Sequence, residues 1–159
     1  MPALEDFCAN NMFIAGISNP FDGFHHLKTY YLQACDAIKI GTETEHSKCI
    51  YHFKDHVLDK MFAICREEYP VEYFISPEFL RLVDHDKKNH TEFCKTLDIS
   101  LQCNMNHSQA LKRLSLSRTA YLYRMKRIRE ITGYDLNDFK TRLYLMDLFQ
   151  LIGCHNVEI

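Results

Sequence analysis

Residues Asn106 to Gly133, NHSQALKRLSLSRTAYLYRMKRIREITG, restrict this chain more than any other stretch. They read as two helices joined by a tight corner. Asn106 or Ser108 can cap the first helix, because a side-chain oxygen there accepts from an orphan backbone N–H. Ala110, Leu111 and Leu114 give that helix one apolar stripe. Ser115 and Leu116 form the corner, and Ser117 is a cap for the second helix. That helix is predicted to run to about Thr132, where Gly133 supplies a left-handed residue to end it. Tyr121, Met125 and Ile128 are spaced to share its inner face with Leu114 and Leu116. Arg118, Leu122, Lys126 and Arg129 are expected on the opposite face. A short helix, a corner and a longer basic helix make a helix-turn-helix pattern. The second helix of such a pair enters the DNA major groove by its N-terminal end.

Charge agrees with this reading. From His107 to Arg142 there are nine Lys/Arg against three acids, about +6, on a chain whose net charge is −2. A basic island on an otherwise acidic chain attracts phosphate to one surface. A solvated basic face on an ordinary helical domain would show the same charges, so the pattern alone leaves both open.

The motif residues resemble the C-terminal helix-turn-helix of the PucR/CdaR family of bacterial transcription regulators. The resemblance is carried by Ala110, Leu114 and Leu116, then Ser117-Arg118-Thr119-Ala120-Tyr121, Tyr123-Arg124-Met125, Arg127-Ile128 and Thr132-Gly133-x-Asp135-Leu136. Asp86, Thr96-Leu97 and the helix through Leu101 resemble the family's lead-in. Where the family usually has His-Arg-Asn-Thr, this chain has Ser117-Arg118-Thr119-Ala120 and keeps only the Arg. Capping and core positions are retained, so the fold is expected to hold while the residues nearest the bases differ.

The resemblance implies a sequence-specific DNA-binding regulator with the 117–132 helix in the major groove. Lys112, Arg113, Lys126, Arg127 and Arg129 are expected to hold phosphates. Ser117, Arg118 and Thr119 are expected at base edges, with Arg118 the candidate for a bidentate guanine contact. Leu122 is either a plain exposed leucine or a contact for a thymine methyl. Tyr123 and Arg124 either pack and pair within the domain or touch phosphate. One motif per chain reads few base pairs, so a homodimer on two half-sites about one helical turn apart is expected on double-stranded DNA. The competing reading is a protein-interaction or dimerisation module of a signalling protein, with the basic helix on an acidic partner. Coverage of Arg118, Leu122 and Lys126 by the chain's own residues would favour that alternative.

Upstream, residues 1–10 read as a short helix and Met12 to Ser18 as a strand buried on both faces. A helix from Asp22 or Gly23 to Ile40 is predicted, ended by Gly41, with Phe24, Leu27, Tyr31, Ala34, Cys35 and Ile38 on one face. Cys49 to Phe53 is a second strand, and a helix follows from Asp55 to about Glu68, stopped by Pro70. Val57, Leu58, Met61, Phe62 and Cys65 are its apolar residues. Gly16-Ile17-Ser18, Tyr31-x-x-Ala34-x-x-Ala37 and Tyr51-x-x-Lys54-Asp55 resemble the end of the GGDEF-like domain that precedes the helix-turn-helix in such regulators. The implied organisation is a partial GGDEF-like coupling region at 1–69 and a PucR-type DNA-binding domain at 70–159. The family's upstream sensor domain is expected to be missing, and an open strand edge could pair with a second copy.

In the second half, Pro77 opens a helix carrying Phe79, Leu80, Leu82 and Val83. Thr91 is a candidate cap for a helix with Phe93, Cys94, Leu97 and Leu101 inward. Asp135 or Asn137 is expected to open a last helix lined by Phe139, Leu143, Met146, Phe149 and Leu151 or Ile152. The fold class is therefore mostly α, a Fis/homeodomain-like helical bundle preceded by a small α+β element with about two strands.

Other chemistry finds little support. No GGDEF or GGEEF sequence, P-loop or G-x-G-x-x-G occurs. Cys49, His52 and His56 have a zinc-like spacing but lack a fourth ligand. Asp84-His85-Asp86 places a carboxylate beside an imidazole, but neighbours on a helix point apart, which favours a solvated helix end. No enzyme activity, cofactor or metal is expected. Seven cysteines without a C-x-x-C fit reduced thiols in the cytoplasm. No apolar run is long enough for a membrane span, so no membrane partner is expected.

Overall fold

The computed structural model describes residues 2–153 and divides after Glu68 into two compact units. The described chain is mostly helical, with eight α-helices and one two-stranded sheet.

In the first unit, α1 (Pro2–Asn11) ends where Met12 takes a left-handed φ of 56°. The Phe13 N–H then donates back to the Cys8 carbonyl. This reversal uses up Met12, Phe13 and Ile14, so β1 is only Ala15–Ile17 rather than the whole 12–18 run. Those three residues are exposed, Met12 at 92%, which corrects the expectation of a strand buried on both faces. β1 pairs in parallel with β2 (Ile50–His52), with Gly16 opposite Tyr51. The crossover is α2 (Leu27–Thr44).

Two glycines seat α2 on the sheet. A Cβ on Gly16 would lie 2.0 Å from the Ala34 carbonyl oxygen, and one on Gly41 would lie 2.0 Å from the Tyr51 ring. Gly41 therefore sits inside α2 as a packing residue and does not end it. The sheet takes the side of α2 bearing Ala37 and Ile40, leaving Phe24, Leu27, Tyr31 and Cys35 exposed. A 3-10 turn at Phe53–Asp55 delays α3 to Val57–Glu68. No residue of α3 is fully buried, and Leu58 and Met61 are exposed, contrary to expectation.

The second unit holds the larger core. α4 (Pro77–Asn89) has Pro77 in its first turn, and its cap Ser76 accepts from the Phe79 N–H. Phe79, Leu82 and Val83 enter the core while Leu80 stays outside. α5 (Phe93–Gln102) is entered through a tight corner at His90, which has φ 52°. Thr91 does not cap it. Asp86 does so from the preceding helix, accepting from the Phe93 and Cys94 N–H groups and from the Thr91 hydroxyl. The expected solvated helix end at 84–86 is thus an inward-turned carboxylate at Asp86.

α6 (His107–Leu114) and α7 (Arg118–Thr132) form the predicted helix-turn-helix. α8 (Phe139–Ile152) opens on Asp138, whose carboxylate accepts from the Thr141 N–H. Asp135 is spent on the preceding turn, bonded to the Asn137 N–H. α8 buries Leu145, Leu148, Phe149 and Leu151, whereas Phe139, Leu143 and Met146 face outward. Of the expected stripe the core takes Phe149 and Leu151, and in place of Phe139, Leu143 and Met146 it takes Leu145 and Leu148.

Candidate nucleic-acid interface

Each half of the motif is locally specified. Asn106 accepts from the Gln109 N–H at the start of α6. Ser115, at φ 53°, turns the chain, and the Leu116 N–H returns to the Leu111 carbonyl. Ser117 caps α7 by accepting from the Ala120 N–H. Gly133, at φ 75°, ends it with open space around its α-carbon. Arg81 of α4 donates to the Ile131 and Thr132 carbonyls at that end, where a cation meets the negative pole of the helix.

The inner face of α7 is anchored hard. Tyr121 and Ile128 are fully buried and Met125 nearly so. The Tyr121 hydroxyl donates to Ser100 Oγ at 3.1 Å, and Ser100 donates to the Thr96 carbonyl. The His107 ring lies tilted against Tyr121, centroids 5.3 Å apart. Such a base fixes how α7 is seated and therefore which of its positions face outward.

Those outer side chains are open. Arg118, Thr119, Leu122, Tyr123, Lys126 and Arg129 are all exposed. Their coverage would have favoured the interaction-module alternative. Tyr123 is more exposed than Leu122, 60% against 44%, so the ridge of the helix runs through Thr119, Tyr123 and Lys126. Arg118, Leu122 and Arg129 lie on one flank of it, and Ala120, Arg124 and Arg127 on the other.

Arg124 is the exception among the predicted contacts. Its side chain is 23% exposed, and its guanidinium donates to Thr96 Oγ1 at 3.0 Å and lies 3.5 Å from the Glu92 carboxylate. It braces α7 against α5. The Glu92 carboxyl is held below its ordinary range, first by Lys95 and then by Arg124. Arg127 and Lys126 share Glu130. Arg113 donates to Gln102 Oε1. The side chains of Arg118, Lys112 and Arg129 have no hydrogen bond or ion pair among the described residues. Ser117 uses its oxygen on the cap, leaving its hydroxyl proton to donate outward.

A depression of about 280 Å³ on one flank is lined by His107, Leu122, Lys126 and Arg129. His107 stands at the N-terminus of α6, where backbone N–H groups and the helix dipole favour an anion. Sequence reasoning passed over it, although its place at the head of the first motif helix was signal enough.

Elsewhere the described residues offer no competing centre. No group of three or more His, Cys, Asp or Glu is arranged for a metal. His56 is buried and paired with Asp59, while His52 lies in β2. The six described cysteines are free. No described helix is long and apolar enough to cross a membrane.

Comparison with known proteins gives a family match in this segment. Residues 93–147, from α5 into α8, match the PucR C-terminal helix-turn-helix domain. Over 131 residues the chain is 28% identical to the proline-responsive transcriptional activator PutR of Bacillus subtilis (strain 168). That alignment covers 82% of this chain and 32% of the relative, so the chain spans about a third of that protein's length. No solved structure matches the chain.

Proposed function

From the premise that residues 93–147 are a PucR C-terminal helix-turn-helix domain, of the kind transcriptional regulators carry, we propose that this chain binds double-stranded DNA with α7 in the major groove. The observation that carries the proposal is the open, basic outer face of α7 above a closed core. Thr119 and Tyr123 form the part of the ridge that would enter deepest. Ser117 and Arg118, at the N-terminal end, reach base edges, and the unpaired Arg118 suits the two acceptors of guanine. Leu122 beside them supplies an apolar contact of the size of a thymine methyl. Lys112, Arg113, Lys126, Arg127 and Arg129 take phosphates, while Arg124 acts through the fold as a brace.

Specific binding then needs two such helices, so the operating form is a homodimer on half-sites about one turn apart. In this reading residues 1–69 are a partial GGDEF-like coupling region, residues 70–159 are the DNA-binding domain, and the protein works in the cytoplasm without catalytic activity.

Fluorescence anisotropy of a random-sequence duplex, titrated at several salt concentrations, tests the core of the proposal. Binding whose log affinity falls linearly with log salt is expected, at about 0.9 per phosphate contact. A folded protein that fails to bind at low salt overturns it. On a selected operator, Arg118→Ala should weaken binding by about 1–3 kcal/mol and relax preference at one position. Equal loss on operator and random duplex would make Arg118 a phosphate contact instead.

A further inference from the structure

The second flank of α7 faces a groove of about 590 Å³ whose far wall carries none of the expected phosphate contacts. His85, Asn89 and His90 from the end of α4 line one wall, and Tyr123, Arg124 and Arg127 of α7 line the other. We propose that this α4–α5 corner is a second backbone clamp, in which Lys88, Asn89 and His90 act with Arg127 on the DNA strand opposite the one beside His107 and Arg129. The inference rests on the DNA-binding reading and deepens it.

Geometry is the first support. An α-helix with side chains is about as wide as the major groove, roughly 12 Å, so a seated helix has a sugar-phosphate backbone against each flank. The flank holding His107, Lys126 and Arg129 accounts for one backbone. The other backbone must pass the Tyr123–Arg127 flank, where the corner forms the only neighbouring wall among the described residues. Lys88 does not itself line the groove, but it stands at its edge, one residue before Asn89 and three after His85, whereas Lys87 is turned further away around α4. Neither lysine has a partner among the described residues, and Asn89 donates only to the His85 carbonyl.

The corner is also prebuilt. Asp86 accepts three hydrogen bonds from Thr91, Phe93 and Cys94. The His85 ring stacks on Phe93 at a centroid distance of 5.0 Å and reaches Thr91 Oγ1 at 3.2 Å. A rigid clamp loses little conformational freedom on binding. The nearby carboxylates are accounted for. Asp86 faces the N-terminus of α5, Glu92 is engaged by Lys95 and Arg124, and Glu130 is held between Lys126 and Arg127. Asp84 stands one turn before Lys88, so the attraction is a short-range one from placed donors and does not come from excess charge on the corner. Asp86 already occupies the first N–H groups of α5, which removes the helix terminus as the alternative anion site.

The test uses the whole chain. His90 holds φ 52°, a conformation glycine adopts without strain, so His90→Gly removes the imidazole and preserves the turn. In salt titrations on a random duplex, Lys88→Gln with His90→Gly should lower the slope by about one or more and weaken binding several-fold. Lys87→Gln, the same charge change off the groove, should leave slope and affinity unchanged. An unaltered double variant, or an equal loss with Lys87→Gln, overturns the clamp while the parent's salt-dependent binding keeps the DNA reading intact. Failure of the parent protein to bind overturns both.

Discussion

Tyr123 and Arg124 are adjacent in sequence and opposite in placement. One residue of helical rotation carries Tyr123 to the exposed ridge and Arg124 into the seam with α5, where Thr96 and Glu92 hold it. Sequence spacing left the two equivalent, because the direction of each depends on where α5 packs. Tyr123→Ala should therefore reduce DNA affinity with little change in stability. Arg124→Ala should destabilise the domain, by roughly 1–3 kcal/mol, since it removes a charged hydrogen bond to a buried threonine; anisotropy and urea denaturation on the two variants separate the effects. Cys94 makes a further residue-scale prediction. Burial, with Asp86 beside it, pushes its thiol well above the usual range. Because the neutral thiol is the form the fold favours, its contribution is full below the ordinary thiol range and declines as pH rises past it. Alkylation at pH 7.5 and again at pH 9, read by mass spectrometry, should modify the exposed Cys35 in the native protein and spare Cys94 until it unfolds.

Among the elements, α6 and α7 were legible in full, whereas α2 and α8 were legible as helices but not in which face they bury, for a common reason. In the helix-turn-helix each boundary has its own local signal, namely Asn106, Ser115, Ser117 and Gly133, and the expected stripe Tyr121, Met125 and Ile128 is the one α7 buries. α8 carries Phe139, Leu143 and Met146 on one side and Leu145, Leu148 and Phe149 on the other, so periodicity alone cannot select the inner stripe. The cap of α5 was illegible because its carboxylate comes from Asp86, seven residues before the first N–H it satisfies. Asp86→Ala should cost on the order of 2 kcal/mol by leaving two helix N–H groups without an acceptor, and denaturant unfolding measures it. Gly41 looked like a helix end because glycine usually is one there, whereas its purpose lies in Tyr51, brought beside it by the sheet. The Tyr51 hydroxyl donates to the Glu45 and Lys48 carbonyls, so the ring cannot easily retreat. Gly41→Ala should destabilise the first unit by about 1–3 kcal/mol and raise amide exchange across α2 and β2 while exchange in α7 stays unchanged.

The whole molecule is two units of unequal self-sufficiency. In the first, the buried apolar residues are Cys8, Ala37, Ile40, Ile50 and Tyr51, and its parallel sheet has only two strands of three residues each. Parallel strands are ordinarily covered on both faces by several helices, and a unit this small buries too little surface to offset its chain entropy comfortably. In the second, one continuous core runs from Phe79 through Phe93, Leu97, Tyr121 and Ile128 to Phe149, with every helix from α4 to α8 contributing. Hydrophobic stabilisation scales with the apolar area removed from water, so the thermodynamic weight of the chain lies after Glu68. A protein comprising residues 69–159 should therefore unfold in a single cooperative transition. It should also retain the parent's salt slope on random duplex DNA, because every phosphate contact proposed lies within it. Residues 1–68 alone should show shallow, non-cooperative unfolding and rapid amide exchange. Differential scanning calorimetry of the two pieces and the parent decides the matter. A cooperative transition in the 1–68 piece would mean that its small core is enough. A 69–159 piece that loses cooperativity would mean that the helix-turn-helix depends on the first unit, and the proposed boundary at residue 69 would have to be abandoned.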